Sequence, residues 1–258
     1  MDERFAGIDR LYGAGSAARL ARAHVAVVGL GGVGSWAAEA LARSGIGELT
    51  LIDADDVCVS NTNRQAHALE GEYGRPKVEV VAQRQRAINP KLRVNALAEF
   101  VTTTNLTALM AHGYHAVIDA CDALRIKVDM IAFCRRRKIP VVVSGSAGGR
   151  SDPTLITSRD LSKTEHDILL GLVRRKLRDE YGWTRNPKRY FGVQAVFSRE
   201  NVNYPQADGS VCKTRPPDAE GALKLDCSGG LGAAMHVTAT FGMVAAARAI
   251  ERLLQAEA

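Results

Sequence analysis

Short, nearly unbroken apolar runs alternate with amphipathic stretches along the first 145 residues. Val25 to Val28, Leu49 to Ile52, Ala116 to Asp119 and Ile139 to Ser144 lack the in–out alternation of a half-solvated sheet, so they read as strands buried on both faces. Leu92 to Leu97 adds a further strand. Between the runs the apolar positions recur at helical spacing over Val33 to Arg43 and Ala123 to Arg137, with short helices at Ser16 to Arg22 and Thr104 to Met110. Arg75-Pro76-Lys77 opens another helix with proline in its first turn, ending near Asn89-Pro90. This order predicts a Rossmann-like α/β fold: a doubly wound, mostly parallel sheet with helices on both faces.

The texture changes after Gly145. A glycine-rich loop leads to a short strand at Leu155 to Thr157, a charged helix from Thr164 to Tyr181, a basic loop with interleaved aromatics, a strand at "VQAVFS", a long loop and a closing helix. The expected organisation is a single domain over residues 1–258. Its nucleotide-binding core spans about 23–150, and a less regular C-terminal part, 151–258, completes it. Residues 229–247 carry no formal charge and approach the length of a bilayer span. They are rich in Gly, Ala and Thr and contain His236, so a helix packed on the sheet is expected rather than membrane insertion.

Composition narrows the setting. The hydrophobic share of 46% and charged share of 24% are those of an ordinary globular enzyme. A net charge of +6 permits a polyanionic partner without demanding one. The polar opening "MDERFAGIDR" carries no secretory pattern, and five widely spaced cysteines suit a reducing compartment, so a cytoplasmic location is expected. Cys58, Cys121 and Cys134 read as packing residues. Cys212, with Lys213 beside it, and Cys227 are either reactive thiols or plain loop residues, and neither joins the catalytic set.

The chemistry begins at Gly29. Gly29, Gly31 and Gly34 satisfy G-x-G-x-x-G, with Gly32 inside the turn; such a turn lets backbone N–H groups approach a phosphate. Asp53, at the end of the next strand, suits a ribose hydroxyl. This pattern alone does not separate NAD from ATP. Three further blocks follow: "DADDVCVSNTNRQ" from Asp53, "GRPKVE" from Gly74 and "DACDAL" from Asp119.

In order and spacing, these blocks resemble the adenylating domain of the ubiquitin-activating-type superfamily, which includes the molybdopterin and thiamine sulfur-carrier activators. The resemblance covers about Ala23 to Gly145. It implies ATP as substrate, with Gly29, Gly31, Gly32, Gly34, Asp53, Asp55, Asn61, Arg64, Gln65, Lys77 and Asp122 around it. Arg64 and Lys77 would hold phosphates, Asn61 would sit near the reacting phosphate, and Asp122 would bind magnesium. Adenylation builds charge on phosphate oxygens, which fixed cations can stabilise. The plainer roles are a solvated loop charge for Arg64 and a helix N-cap for Asp122. A dehydrogenase has no use for this set. One departure is Gly7, where many relatives place an arginine that reaches the partner subunit's site; Arg4 or Arg10 could substitute.

"VSGSAGGRSDPT", "YPQADGSVCKT" and "LDCSGGLGAAMHVTATFG", with no CxxC zinc pairs, are similar to the tRNA threonylcarbamoyladenosine dehydratase branch over nearly the whole chain. That resemblance implies a homodimer that adenylates the threonine carboxylate of N6-threonylcarbamoyladenosine in tRNA and closes a ring with loss of water. It leaves open a monovalent cation and a cysteine-desulfurase or other sulfur-acceptor partner. The alternative is adenylation of the C-terminal glycine of a ubiquitin-like sulfur carrier. Arg185 to Phe191, with Trp183, Tyr190 and Phe191 available to stack, favours RNA contact. Arg135 to Lys138 reads more simply as cations at a helix C-terminus.

Overall fold

The computed structural model describes residues 2–206, 208–214 and 231–255. Seven strands form one sheet in the order β3-β2-β1-β4-β5-β7-β6. They are β1 (His24–Val28), β2 (Glu48–Ile52), β3 (Arg93–Leu97), β4 (Ala116–Asp119), β5 (Val141–Ser144), β6 (Ile156–Asp160) and β7 (Gln194–Ser198). All neighbours run parallel except β6, which pairs antiparallel with β7, Thr157 opposite Phe197. The expected sheet is therefore present, and β6 and β7 from the C-terminal part extend it.

The helices are α1 (Ala6–Tyr12), α2 (Ser16–Leu20), α3 (Gly34–Arg43), α4 (Lys77–Ile88), α5 (Leu106–Leu109), α6 (Leu124–Arg136), α7 (Ile168–Tyr181) and α8 (Met235–Gln255). Two cores result, one on each face. Val25, Val27, Leu49 and Leu51 point into the first, which Leu41, Val81, Phe241 and Ala245 close from α3, α4 and α8. Ala26, Val28, Val117 and Val143 point into the second, beneath Ile131, Val173 and Leu177 of α6 and α7. Alternate residues of one strand thus serve opposite cores, which is why the strands read as continuous apolar runs.

Some boundaries differ from the sequence reading. The edge strand β6 begins at Ile156 and continues through charged residues, because only one of its faces is covered. The helix expected from Thr164 starts at Ile168, where the Asp167 carboxylate caps it by accepting from the Leu170 N–H at 2.8 Å. α8 runs on to Gln255 through Arg248, Glu251 and Arg252. Among the described residues no helix is long and apolar enough to cross a membrane. α1 and a small hairpin of β8 (Tyr204–Pro205) and β9 (Val211–Cys212) have no counterpart in the apolar pattern. Residues 229 and 230 and Cys227 lie outside the described residues.

Candidate active site

Strand order reverses between β1 and β4, and parallel α/β sheets bind ligands in the crevice beyond the strand ends at such a point. A cavity of about 510 Å³ opens there, large enough for a nucleotide. Gly29, Gly31, Gly32, Asp53, Asp55, Arg64, Gln65, Lys77 and Asp122 all line it. Four separate sequence blocks are thus brought to one place.

The glycine turn is dictated by crowding. Gly29 has φ +84°, and a Cβ there would lie 2.9 Å from the Cys121 nitrogen; one on Gly34 would lie 1.7 Å from the Gly29 carbonyl oxygen. Gly34 therefore serves the close start of α3 and is not at the cavity wall. Asp53 fastens the turn: one carboxylate oxygen accepts from the Leu30 N–H at 2.6 Å, the other from the Asp55 N–H at 2.9 Å. Gly31 is different, since a Cβ there meets only Gln65 Nε2 at 3.9 Å and would face the cavity. Gly31→Val is accordingly expected to fold normally and lose nucleotide binding. Calorimetric titration with ATP checks this, and wild-type affinity would place the phosphates elsewhere.

Lys77 is the first residue of α4, where a cation opposes the helix dipole. Its Nζ pairs with Asp55 Oδ2 at 2.8 Å; the lysine side chain is 7% exposed and the aspartate 55%. Arg64 reaches the wall from a loop. Its Nη1 donates to the Ser60 carbonyl at 2.7 Å and to Asn63 Oδ1 at 3.0 Å. Its own carbonyl accepts from Trp36 Nε1 at 3.0 Å and Thr238 Oγ1 at 3.3 Å, so α3 and α8 set its position. Sequence reasoning missed both anchors, and nothing in the local pattern marks them.

Asn61 departs from expectation. It is buried, and its Oδ1 accepts from the Cys58 N–H at 3.1 Å within its own turn, so it supports Arg64 and Gln65 from behind without lining the cavity. Asp122 is exposed and has no hydrogen-bond or ion-pair partner among the described residues. It does not cap α6: the N-cap position is Ala123, with no side-chain cap. Among the described residues no three His, Cys, Asp or Glu side chains gather as a metal site. A magnesium ion on Asp122 would therefore draw its other ligands from phosphate and water, which is its usual habit.

A buried ion pair stands behind Asp122. Lys127 Nζ lies 2.8 Å from Asp119 Oδ1, and both side chains are fully buried. Burial is the largest influence and works against the lysine charge, but the Asp119 carboxylate together with Cys121 and Asp167 outweighs it and raises the Lys127 pKa. Burial and then the same carboxylate push the Cys121 thiol well up, so it stays protonated, its Sγ 3.0 Å from Asp119 Oδ1. The loop of residues 145–152 forms another wall. Asp167 accepts from the Ser146 N–H at 2.8 Å, and Glu200 from the Ser151 and Asp152 N–H groups at 2.9 Å each.

Other expectations are redistributed. Cys134 is buried as expected, but Cys121 lines the cavity and Cys58 is exposed. Cys212 sits in β9 away from the cavity, and Lys213 beside it turns to Glu200 at 3.4 Å. Arg4 folds onto Asp2 at 2.8 Å, whereas Arg10 makes no ion pair among the described residues. Phe191 is buried with Trp183 edge-on at 4.8 Å; Trp183 is half-buried and Tyr190 exposed, so Phe191 is the one of the three withdrawn from stacking.

His67 supplies a pH prediction. Burial, reinforced by Lys77 and Arg84, lowers its pKa from 6.5 to about 4, and neither ring nitrogen has a partner among the described residues. The folded state holds it neutral while the unfolded chain protonates it, so stability should fall as pH drops from about 6.5 to about 4. His67→Leu should flatten that part of the curve in urea melts; an identical slope in both proteins would contradict the assignment.

A glycine turn at the strand reversal, with two cations and a free carboxylate beyond it, defines a nucleotide-binding α/β protein. The chain belongs to the ThiF family, whose model matches residues 6–257. It is 52% identical to the tRNA threonylcarbamoyladenosine dehydratase of Escherichia coli, over 98% of this chain and 94% of that protein. It is 48% identical to the enzyme of the same name from Haemophilus influenzae, over 98% and 94% of the two chains. The fold matches the E. coli enzyme TcdA solved in complex with ATP, with a TM-score of 0.85 and 48% identity over 97% of this chain and 93% of that one.

Proposed function

We propose that this chain is an ATP-dependent enzyme that dehydrates N6-threonylcarbamoyladenosine in tRNA to a cyclic product. The observation that carries the reading is the meeting of Arg64, Lys77 and Asp122 at one glycine-lined cavity, in a chain similar from end to end to enzymes of that name. The threonine carboxylate attacks the α-phosphorus of ATP, the α–β phosphoanhydride bond breaks, and pyrophosphate leaves. Arg64 and Lys77 face the charge that develops on the phosphate oxygens. The adjacent carbamoyl group then attacks the activated carbonyl, AMP leaves, and a proton is released. Net, one water is lost and its atoms are accounted for in AMP and pyrophosphate.

Asp122 would hold magnesium, which when bound would supply charge neutralisation on the triphosphate. Lys77 is drawn by Asp55 to the cavity edge, and Gln65 lines the wall with its Nε2 beside Gly31, where it can donate to the nucleotide. The working unit is a cytoplasmic homodimer, and Arg10, rather than the Arg4 that Asp2 occupies, is the residue to cross into the partner's site. Sulfur-acceptor partners are not needed for the dehydration.

The test is AMP release from ATP and magnesium with three acceptors: tRNA carrying the modification, tRNA lacking it, and a ubiquitin-like carrier protein. Release is expected with the modified tRNA alone. Release with the carrier alone would move the assignment to a sulfur-carrier activator.

A further inference from the structure

Two basic segments far apart in sequence meet at the end of α6 away from the ATP cavity. The last turn of α6 carries Arg135 and Arg136, and Arg137 and Lys138 follow directly; all four are exposed. The loop after α7 returns past this end, and the two enclose a cleft of about 390 Å³. Arg135 and Arg136 line one side, Trp183 and Tyr190 the other.

The cleft is built on fixed parts. Phe191 is buried beneath it, Trp183 lies against Phe191, and Arg178 sits over the Phe191 ring at 5.5 Å. The Asp160 carboxylate holds the loop by accepting from the Phe191 and Gly192 N–H groups at 2.9 and 2.7 Å. Tyr190 stands 69% exposed at the rim, with Lys163 Nζ 5.3 Å from its ring centre.

The charge here is uncompensated. Arg135, Arg136, Lys138, Lys188 and Arg189 have no ion-pair partner among the described residues. The nearby acids are already engaged: Asp129 and Glu180 with Arg125, and Asp179 with Arg185. A helix C-terminus favours one or two cations. It does not account for four in succession, two of which, Arg135 and Arg136, line a cleft opposite Trp183 and Tyr190. Guanidinium forks beside an exposed aromatic ring match phosphates with bases attached.

We propose that this cleft is an RNA-docking surface that grips the sugar–phosphate backbone of the substrate tRNA away from the reacting nucleoside; this rests on the tRNA reading above. The other end of α6, at Leu124, lines the ATP cavity. The 13 residues of the helix separate the two sites by about 20 Å, a span that one tRNA stem-loop covers. A base reacting in the cavity and a stem lying on the cleft are therefore compatible.

The experiment measures binding of purified modified tRNA across a salt series, and steady-state cyclisation, for the wild type and variants of the full chain. For Arg135→Ala/Arg136→Ala, Kd should rise roughly tenfold and the slope of log affinity against log salt should shrink by about 1–2. KM for tRNA should rise in step, with KM for ATP unchanged. Tyr190→Ala should weaken binding a few-fold. Arg86→Ala/Lys91→Ala, which removes equal charge near the end of α4, should leave Kd within about twofold of wild type, as expected if the two arginines act by contact and not through net charge. An Arg135→Ala/Arg136→Ala protein with wild-type melting temperature, Kd and salt slope would overturn the docking surface while leaving the proposed reaction intact. A wild type whose tRNA binding depends on these arginines but which forms no cyclic product would support the surface and overturn the reaction instead.

Discussion

Asp122→Ala is expected to lower AMP formation by about 10²–10³-fold or more while the protein keeps its fold. The side chain is exposed and has no partner among the described residues, so its removal leaves no buried group unpaired. Its expected work is done only with a triphosphate in the cavity. Asp122→Asn should be nearly as impaired, since the amide keeps the shape and loses the charge that would hold magnesium. Arg64→Ala should fall by a similar factor, because its carbonyl anchors to Trp36 and Thr238 are backbone contacts that survive the substitution. Single-turnover AMP formation, paired with a thermal melt, checks all three. Wild-type turnover in both Asp122→Ala and Arg64→Ala would remove these residues from the reaction.

The second large effect is on stability. Lys127→Met leaves the Asp119 carboxylate buried without its cation, and breaking a buried pair in this way costs about 3–5 kcal/mol. For a protein of this size that corresponds to a melting temperature lower by about 6–20 °C. The double variant Lys127→Met/Asp119→Leu should recover much of the loss, since it removes both charges together. A single variant melting within about 1 °C of wild type would mean that the lysine is replaced by water or another cation. The pair sits directly behind the segment from Cys121 to Asp122, so the single variant should also disturb ATP binding, through the backbone rather than by contact.

Much of this was readable in advance because parallel strands buried on both faces leave an unambiguous apolar signature. Ala116 to Asp119 lies in the sheet with those exact bounds. The cavity was legible in part for a related reason: Gly29, Asp53 and Asp122 follow strands that the pattern already fixes and Lys77 opens a helix, whereas Arg64 lies in a loop and was legible only through the motif that the resemblance supplies. What escaped depends on approach between distant segments. Trp36 reads as one more apolar residue of α3 until Arg64 arrives from a loop. Lys127 occupies a buried helix position, and a charge there signals a partner, but the partner could be named only once β4 lay beneath α6. Asn61 has the right type and spacing for phosphate, but it sits behind the cavity wall, its Oδ1 accepting from the Cys58 N–H. The aromatic loop divides likewise: Phe191 is claimed by the core, Trp183 packs on it half-buried, and Tyr190 stands exposed.

The most direct measurement is nucleoside mass analysis of threonylcarbamoyl-modified tRNA after incubation with the wild-type protein, ATP and magnesium. The account predicts a modified nucleoside lighter by one water, formed in equal amount to AMP and absent with Asp122→Ala. Unchanged nucleoside mass with an active, ATP-binding protein would contradict it.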